Sequence, residues 1–129
     1  MGDNDKAKFV EELKKRIFNW VNGVCDLCES LPKNSTTRVV NYQLIKSATS
    51  TGANHRAASR ARSQKEFFAK ISITVEESDE SLYWLNIINA RHYKGINQTE
   101  LNKLIKEADE ITRILAKARY NTGKSMNNQ

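Results

Sequence analysis

Two cysteines three residues apart, Cys25-Asp26-Leu27-Cys28, are the first residues in the chain whose type and spacing could do chemistry. A structural zinc ion wants four ligands, and the only histidines, His55 and His92, are far from the pair and from each other in sequence. A dithiol redox centre needs a helix that opens on the motif, whereas this pair falls late in a long helical pattern. The expected role is packing, with two small thiols on one side of a helix. Glu76, Glu77, Asp79 and Glu80 form a second cluster. Glu76 and Glu80 share a helix face at i and i+4, where like charges repel unless a cation or a hydrogen-bond donor stands opposite. A solvated face, or one meeting bases of a neighbouring helix, explains them more simply than a catalytic pair. Gly52 and Asn89 stand three residues before the two histidines, so the Glu-x-x-His pairs of a di-metal bundle are absent. No histidine–acid arrangement singles out a nucleophile and no glycine-rich loop could cradle a phosphate. The residues point away from an enzyme, with no catalytic residue, metal or cofactor expected.

The basic residues are more informative. The 129 residues carry 21 Lys and Arg against 15 Asp and Glu, a net charge of +6. Residues 36–70 alone hold seven bases (Arg38, Lys46, Arg56, Arg60, Arg62, Lys65 and Lys70) and one acid, Glu66. That single segment matches the whole excess. At about 100° per residue, Arg38, Lys46, Arg56 and Arg60 fall within about 80° of one another on a helix. Arg62 and Lys65 sit in the turn that follows. These six are the candidate nucleic-acid contacts, because such a stripe neutralises phosphates and arginine adds bidentate hydrogen bonds. Lys106, Arg113, Lys117 and Lys124 make a weaker second stripe, interrupted by Glu110. Aromatic residues for base stacking are not evident beside either stripe, so binding is expected to run through the backbone with little sequence preference.

The elements that must position these residues are helical. Five glycines and one proline are too few for a loop-rich all-β fold. Phe9, Leu13, Ile17, Trp20, Val24, Leu27 and Leu31 recur at helical spacing over residues 5–30, and Pro32 stops that helix. A second helix, residues 37–60, has Ser35 or Thr36 as its cap and Val40, Leu44, Ile45 and Ala48 as its apolar face. Gly52 lies within a run of small residues and suggests that another backbone packs close there. Ser63-Gln64-Lys65-Glu66 reads as a capping box that opens a third helix, residues 64–92, and rules against one continuous helix across 38–92. Gly95 ends it, and Asn97 with Glu100 starts the fourth, residues 98–120, with the seam Leu101, Leu104, Ala108, Ile111, Leu115. The expected fold class is all-α: an antiparallel up-down-up-down four-helix bundle spanning residues 1–120, followed by a flexible polar tail at 121–129.

No apolar run approaches the ~18 residues of a membrane span. The opening Met1-Gly2-Asp3-Asn4-Asp5 is unlike a secretory signal. Together with two cysteines that need not pair, these features lead to the expectation of a cytoplasmic protein.

The stretch Leu44-Ile45-Lys46-Ser47-Ala48-Thr49-Ser50-Thr51-Gly52-Ala53-Asn54, then Arg62 to Phe67, Ile71-Ser72-Ile73, Glu76, Glu80 and Trp84-Leu85, resembles the bacterial ribosomal RNA intervening-sequence proteins. The accessory subunits of reverse transcriptases in diversity-generating retroelements are similar to that family as well. The resemblance extends over about residues 9–120. It implies a four-helix bundle that assembles as a homopentamer. Through the retroelement relatives it also implies partners, namely RNA or DNA and a reverse transcriptase. Many members carry Ala-Glu-Gly where this chain reads Arg56-Ala57-Ala58-Ser59, so a site built on that glutamate does not transfer. Asn54, Glu76 and Glu80 match the pattern and are read as a buried or interfacial hydrogen-bond network. Two functions follow as expectations. The first is a non-enzymatic homo-oligomer that binds nucleic acid through phosphates. The second is a protein–protein adaptor, such as a polymerase accessory subunit.

Overall fold

The computed structural model describes residues 2–128, which form four helices: α1 (Asp3–Ser30), α2 (Ser35–Ser59), α3 (Gln64–Arg91) and α4 (Gln98–Asn127). The boundaries follow from local chemistry. α1 stops at Ser30, with Leu31 already extended ahead of Pro32. Asn34, rather than Ser35 or Thr36, caps α2: its side chain accepts from the backbone N–H of Thr36 and Thr37, and Thr37 Oγ1 accepts from Asn34 N–H in return. A threonine hydroxyl thus takes the place of the glutamate that usually closes this box. Ser63 caps α3 and Asn97 caps α4, accepting from the backbone N–H of Glu66 and Glu100 respectively. α3 ends in His92 at a left-handed φ of 52°, and Gly95 follows at φ 78°. The break at residues 60–63 separates α2 from α3.

Cross-helix hydrogen bonds fix the directions. Trp20 Nε1 donates to the Leu104 carbonyl, and Arg16 binds Glu107 through two 2.7 Å bonds and also Glu110, so α1 rises as α4 descends. Thr36 bonds Tyr93 across 2.8 Å and Ser47 bonds Ser81 across 2.8 Å, a constant antiparallel register for α2 and α3. Ser78 bonds Thr112, and Arg119 donates to Ser72, which sets α3 against α4. Each helix packs on its chain neighbours, and α1 closes onto α4. The result is the expected antiparallel up-down-up-down bundle.

The core takes Ile17 and Val24 from α1, Leu44 and Ala48 from α2, Ile71, Leu85 and Ile88 from α3, and Leu101, Ala108, Ile111 and Leu115 from α4. Two faces differ from the spacing argument. On α3, where helical spacing predicts the inward face Phe67, Ile71, Val75, Ser78, Leu82, Leu85 and Ile88, Thr74 and Ser81 join Ser78 as fully buried positions, while Val75 and Leu82 are half-buried. The reason is the partner surface: α2 presents Ser47 and Thr51, also fully buried, and small residues on both sides let the two helices come close. Every one of these hydroxyls is hydrogen-bonded, to Ser47, Ser81 or Thr112 or to a carbonyl one turn back. Phe9, assigned to the α1 core face, is 47% exposed. Asn41 Nδ2 donates to the Cys28 carbonyl, and continuing that register places Phe9 beside Arg60, where α2 has already ended.

α4 does not stop near residue 120. It continues to Asn127, with Thr122 Oγ1 donating to the Ala118 carbonyl, Gly123 seated on the Phe68 ring and Gln64 donating to Ser125. The first turn of α3 thus supplies a surface for residues 121–127. No described helix is long and apolar enough to cross a membrane.

Candidate functional site

The cysteine pair behaves as packing. Cys28 is buried and Cys25 half-buried. Burial, reinforced by the neighbouring Cys25 and Glu29, pushes the Cys28 thiol up to about 12. Burial also raises the Cys25 thiol, so neither is an activated thiolate.

The acidic cluster lies on the outside of α3. Glu76 and Glu80 are exposed, and Glu80 accepts from the Trp84 indole of its own helix. Asn54, half-buried on α2, donates to the Ser50 carbonyl and hydroxyl one turn back. No hydrogen bond joins the three within the chain, which differs from a network buried inside the subunit. Asn54 bonds within α2 and Glu80 within α3, while Ser47 and Ser81 make the bond between the helices. Glu77 is half-buried, and burial together with Glu80 raises its carboxyl, with Lys46 acting in the opposite sense. The bases of α2 therefore do reach the acids of α3, through a longer-range field and not an ion pair.

All six sequence-predicted cations are exposed: Arg38, Lys46, Arg56 and Arg60 along α2, and Arg62 and Lys65 in and after the turn. At 1.5 Å per residue the stripe from Arg38 to Arg60 is about 33 Å long. Arg62 faces Glu66 at 4.0 Å, a pair that is 91% exposed on the arginine side and so contributes little. The other five make no ion pair among the described residues.

Tertiary structure adds a feature that the charge count hides. The C-terminal half of α2 and the N-terminal half of α1 diverge around a groove of about 780 Å³. Its floor is Ile17, Val21 and Gly52, with Phe18 and Ala53 exposed at its edge, and its rim carries Arg56 and Arg60 opposite Lys8, Lys14 and Lys15. Glu11 and Glu12 also line it, with Glu11 held by Lys14 at 3.1 Å. Residues 1–35 are charge-neutral in sum, yet this one face is basic. Arg56 and Arg60 therefore belong to both the stripe and the groove, whereas Arg38, Lys46, Arg62 and Lys65 do not line it.

Sequence reasoning missed two groove residues. Phe18 is 68% exposed, so an aromatic ring does stand beside the basic stripe, contrary to expectation. Its offset from the Leu13, Ile17, Trp20 face was the available signal. His55 is 7% exposed, lines the groove and has no hydrogen-bond partner among the described residues. Burial, with Lys14 nearby, lowers its pKa below the ordinary value, so the ring is neutral at pH 7. Gly52 is not a point of close backbone approach: a methyl there would sit 3.5 Å from Val21 and 3.8 Å from Ile17, ordinary contact. Gly23 is the tighter position: a methyl there would come within 2.9 Å of the Leu104 side chain.

Comparison with known proteins agrees with this fold. A crystal structure of a protein of unknown function from the S23 ribosomal protein family of Bacteroides thetaiotaomicron is similar to it, with TM-score 0.72 and 25% identity. The match covers 83% of this chain and 97% of that one. No curated protein matches the sequence. The profile of the 23S rRNA-intervening sequence proteins matches residues 11–117, nearly the whole bundle and all of the α2–α3 region that carries the charge. The chain belongs to the 23S rRNA-intervening sequence protein family.

Proposed function

We propose that this protein is a non-enzymatic, homo-oligomeric bundle that binds RNA or DNA through its phosphates. One observation carries the binding: an exposed stripe about 33 Å long, whose four cations Arg38, Lys46, Arg56 and Arg60 make no ion pair among the described residues, continued by Arg62 and Lys65 in and after the turn. Cations held in intramolecular salt bridges would have little left for phosphates; these are free to displace counterions. A polymer with evenly spaced charges suits a long stripe better than a small anion does. The oligomer is supported by α3, where Ile73 (39% exposed) and Tyr83 (57% exposed) flank Glu76 and Glu80 on one outward face. Covering that face with a second copy would make Glu76 and Glu80 interfacial, and repeating the stripe around an assembly would add avidity to weak contacts.

The test is fluorescence anisotropy of a labelled single-stranded RNA at rising salt. Each phosphate contact contributes a slope of about −0.7 in log affinity against log salt, so engagement of the stripe should give about −3 to −4. Arg56→Glu with Arg60→Glu should weaken binding at least tenfold on every sequence tried. Absence of salt-sensitive binding at low ionic strength would exclude the reading. Light scattering tests the assembly, which requires a multiple of the 14.7 kDa chain mass.

A further inference from the structure

We infer that the α1–α2 groove receives a single unstacked base of a single-stranded nucleic acid, while Arg56 and Arg60 hold the flanking phosphates. This rests on the nucleic-acid reading above and adds a component that phosphate contact alone does not have.

The chemistry of the groove is specific to such a guest. Its volume of about 780 Å³ falls within the ~300–1,000 Å³ range of small-molecule pockets, room enough for a nucleoside. Phe18 stands on the lip with 68% of its surface exposed, a ring face with no partner ring among the described residues. His55 is more than nine-tenths buried, opens into the groove, and has no hydrogen-bond partner among the described residues. A neutral imidazole offers one donor and one acceptor, and the edges of the bases present both. The ring is largely covered, yet its nitrogens are not among the buried unsatisfied polar atoms of the described residues, so they reach the open groove, where a guest can take the place of water. The rim then supplies five cations against two carboxylates, one of which Lys14 already engages.

The dimensions argue against a docked protein helix. On α1 the apolar floor runs only from Ile17 to Val21, about 6 Å of helix axis. A partner helix uses anchors over i to i+7, which span about 10 Å. One planar heterocycle fills the shorter length. Aromatic stacking on a protein side chain is sequence-tolerant, because every base has a π face. The site therefore selects single strands over duplexes without reading sequence closely.

The experiment compares two labelled 12-nucleotide strands of equal charge, one carrying bases and one abasic throughout, together with a strand bearing internal 2-aminopurine. The inference expects the abasic strand to bind at least tenfold more weakly and the 2-aminopurine emission to change on binding. Phe18→Ala removes an exposed side chain, so the fold should survive, as an unchanged melting temperature would verify. It should cost about tenfold on the base-bearing strand and nothing on the abasic one. Arg60→Glu should weaken both strands alike. Equal affinity for the two strands, with Phe18→Ala silent, overturns the base pocket and leaves the phosphate reading standing. Failure of both strands to bind overturns the two together.

Discussion

α2 has two small-residue faces that do opposite things. Toward α3, Ser47 and Thr51 meet Thr74, Ser78 and Ser81, and the helices close on each other with a 2.8 Å bond between Ser47 and Ser81. Toward α1, Gly52 and Ala53 meet Phe18 and Val21, and a groove of about 780 Å³ remains. Small residues by themselves therefore decide nothing. Set against small hydroxyl residues whose polar atoms can be satisfied, they give a closed, extensive seam, the largest helix pairing among the described residues. Set against bulky residues, they leave a recess, because Ile17 and Val21 stand between α1 and the α2 backbone at Gly52. The first face is closed by packing and hydrogen bonds, and the second is left open.

Enlarging one residue on each face should separate them. Ser81→Leu forces three additional carbon atoms into the closed seam and breaks the bond to Ser47, and should cost about 3 kcal/mol or more. Urea denaturation would show it, and a midpoint equal to that of the parent would mean the seam is not tightly packed. Gly52→Ala acts in the opposite direction. The methyl has room on the open side, so the gain in helix propensity, up to about 1 kcal/mol, should appear as added stability. Were Gly52→Ala destabilising, the groove would be narrower than described.

Titration probes both faces of the α1–α2 half. His55 has a folded pKa below its ordinary 6.5 because burial disfavours the cation. Below about pH 6.5 the unfolded chain binds the extra proton more readily, so stability should fall as pH falls from 7 toward 5. Thermal melts should show this decline, and His55→Gln should flatten it. At the alkaline end the Cys28 thiol, held up to about 12 against an ordinary 9.0, stays protonated while the unfolded chain ionises. Stability should therefore decline again as pH rises above about 9, and Cys28→Ala should remove that limb. The smallest effect on stability belongs to Ala53→Leu, an exposed site on the open face, which should stay within about 0.5 kcal/mol of the parent. The same substitution should nonetheless reduce nucleic-acid affinity by filling the recess. A variant that is destabilised like Ser81→Leu would erase the distinction between the faces.

Local chemistry accounts for much of what could be read in the chain. Helix identity followed from periodicity, and three of the boundaries from single residues: Pro32 after α1, Ser63 before α3 and Asn97 before α4. The start of α2 was misplaced by two residues, because Asn34 and Thr37 share a capping function that no Glu announces. The length of α4 was underestimated, because a polar segment reads as unpacked unless its neighbour is known. Only the fold brings Gln64 and Phe68 alongside Ser125 and Gly123. The basic stripe of α2 was legible for the same reason as the helices: its residues are linked by spacing along one element.

The sequence by itself thus determined four helices, their order and the exposed line of positive charge, all of which depend on short-range rules of backbone and spacing. Only the tertiary structure decided that Asn54, Glu76 and Glu80 share no hydrogen bond within the chain, that hydroxyls rather than aliphatics line the α2–α3 seam, and that Phe18 of α1 lines one groove with His55, Arg56 and Arg60 of α2. Those outcomes depend on which helix faces which and at what separation. That is set by the matching of side-chain volumes across two elements, which spacing along one element cannot encode.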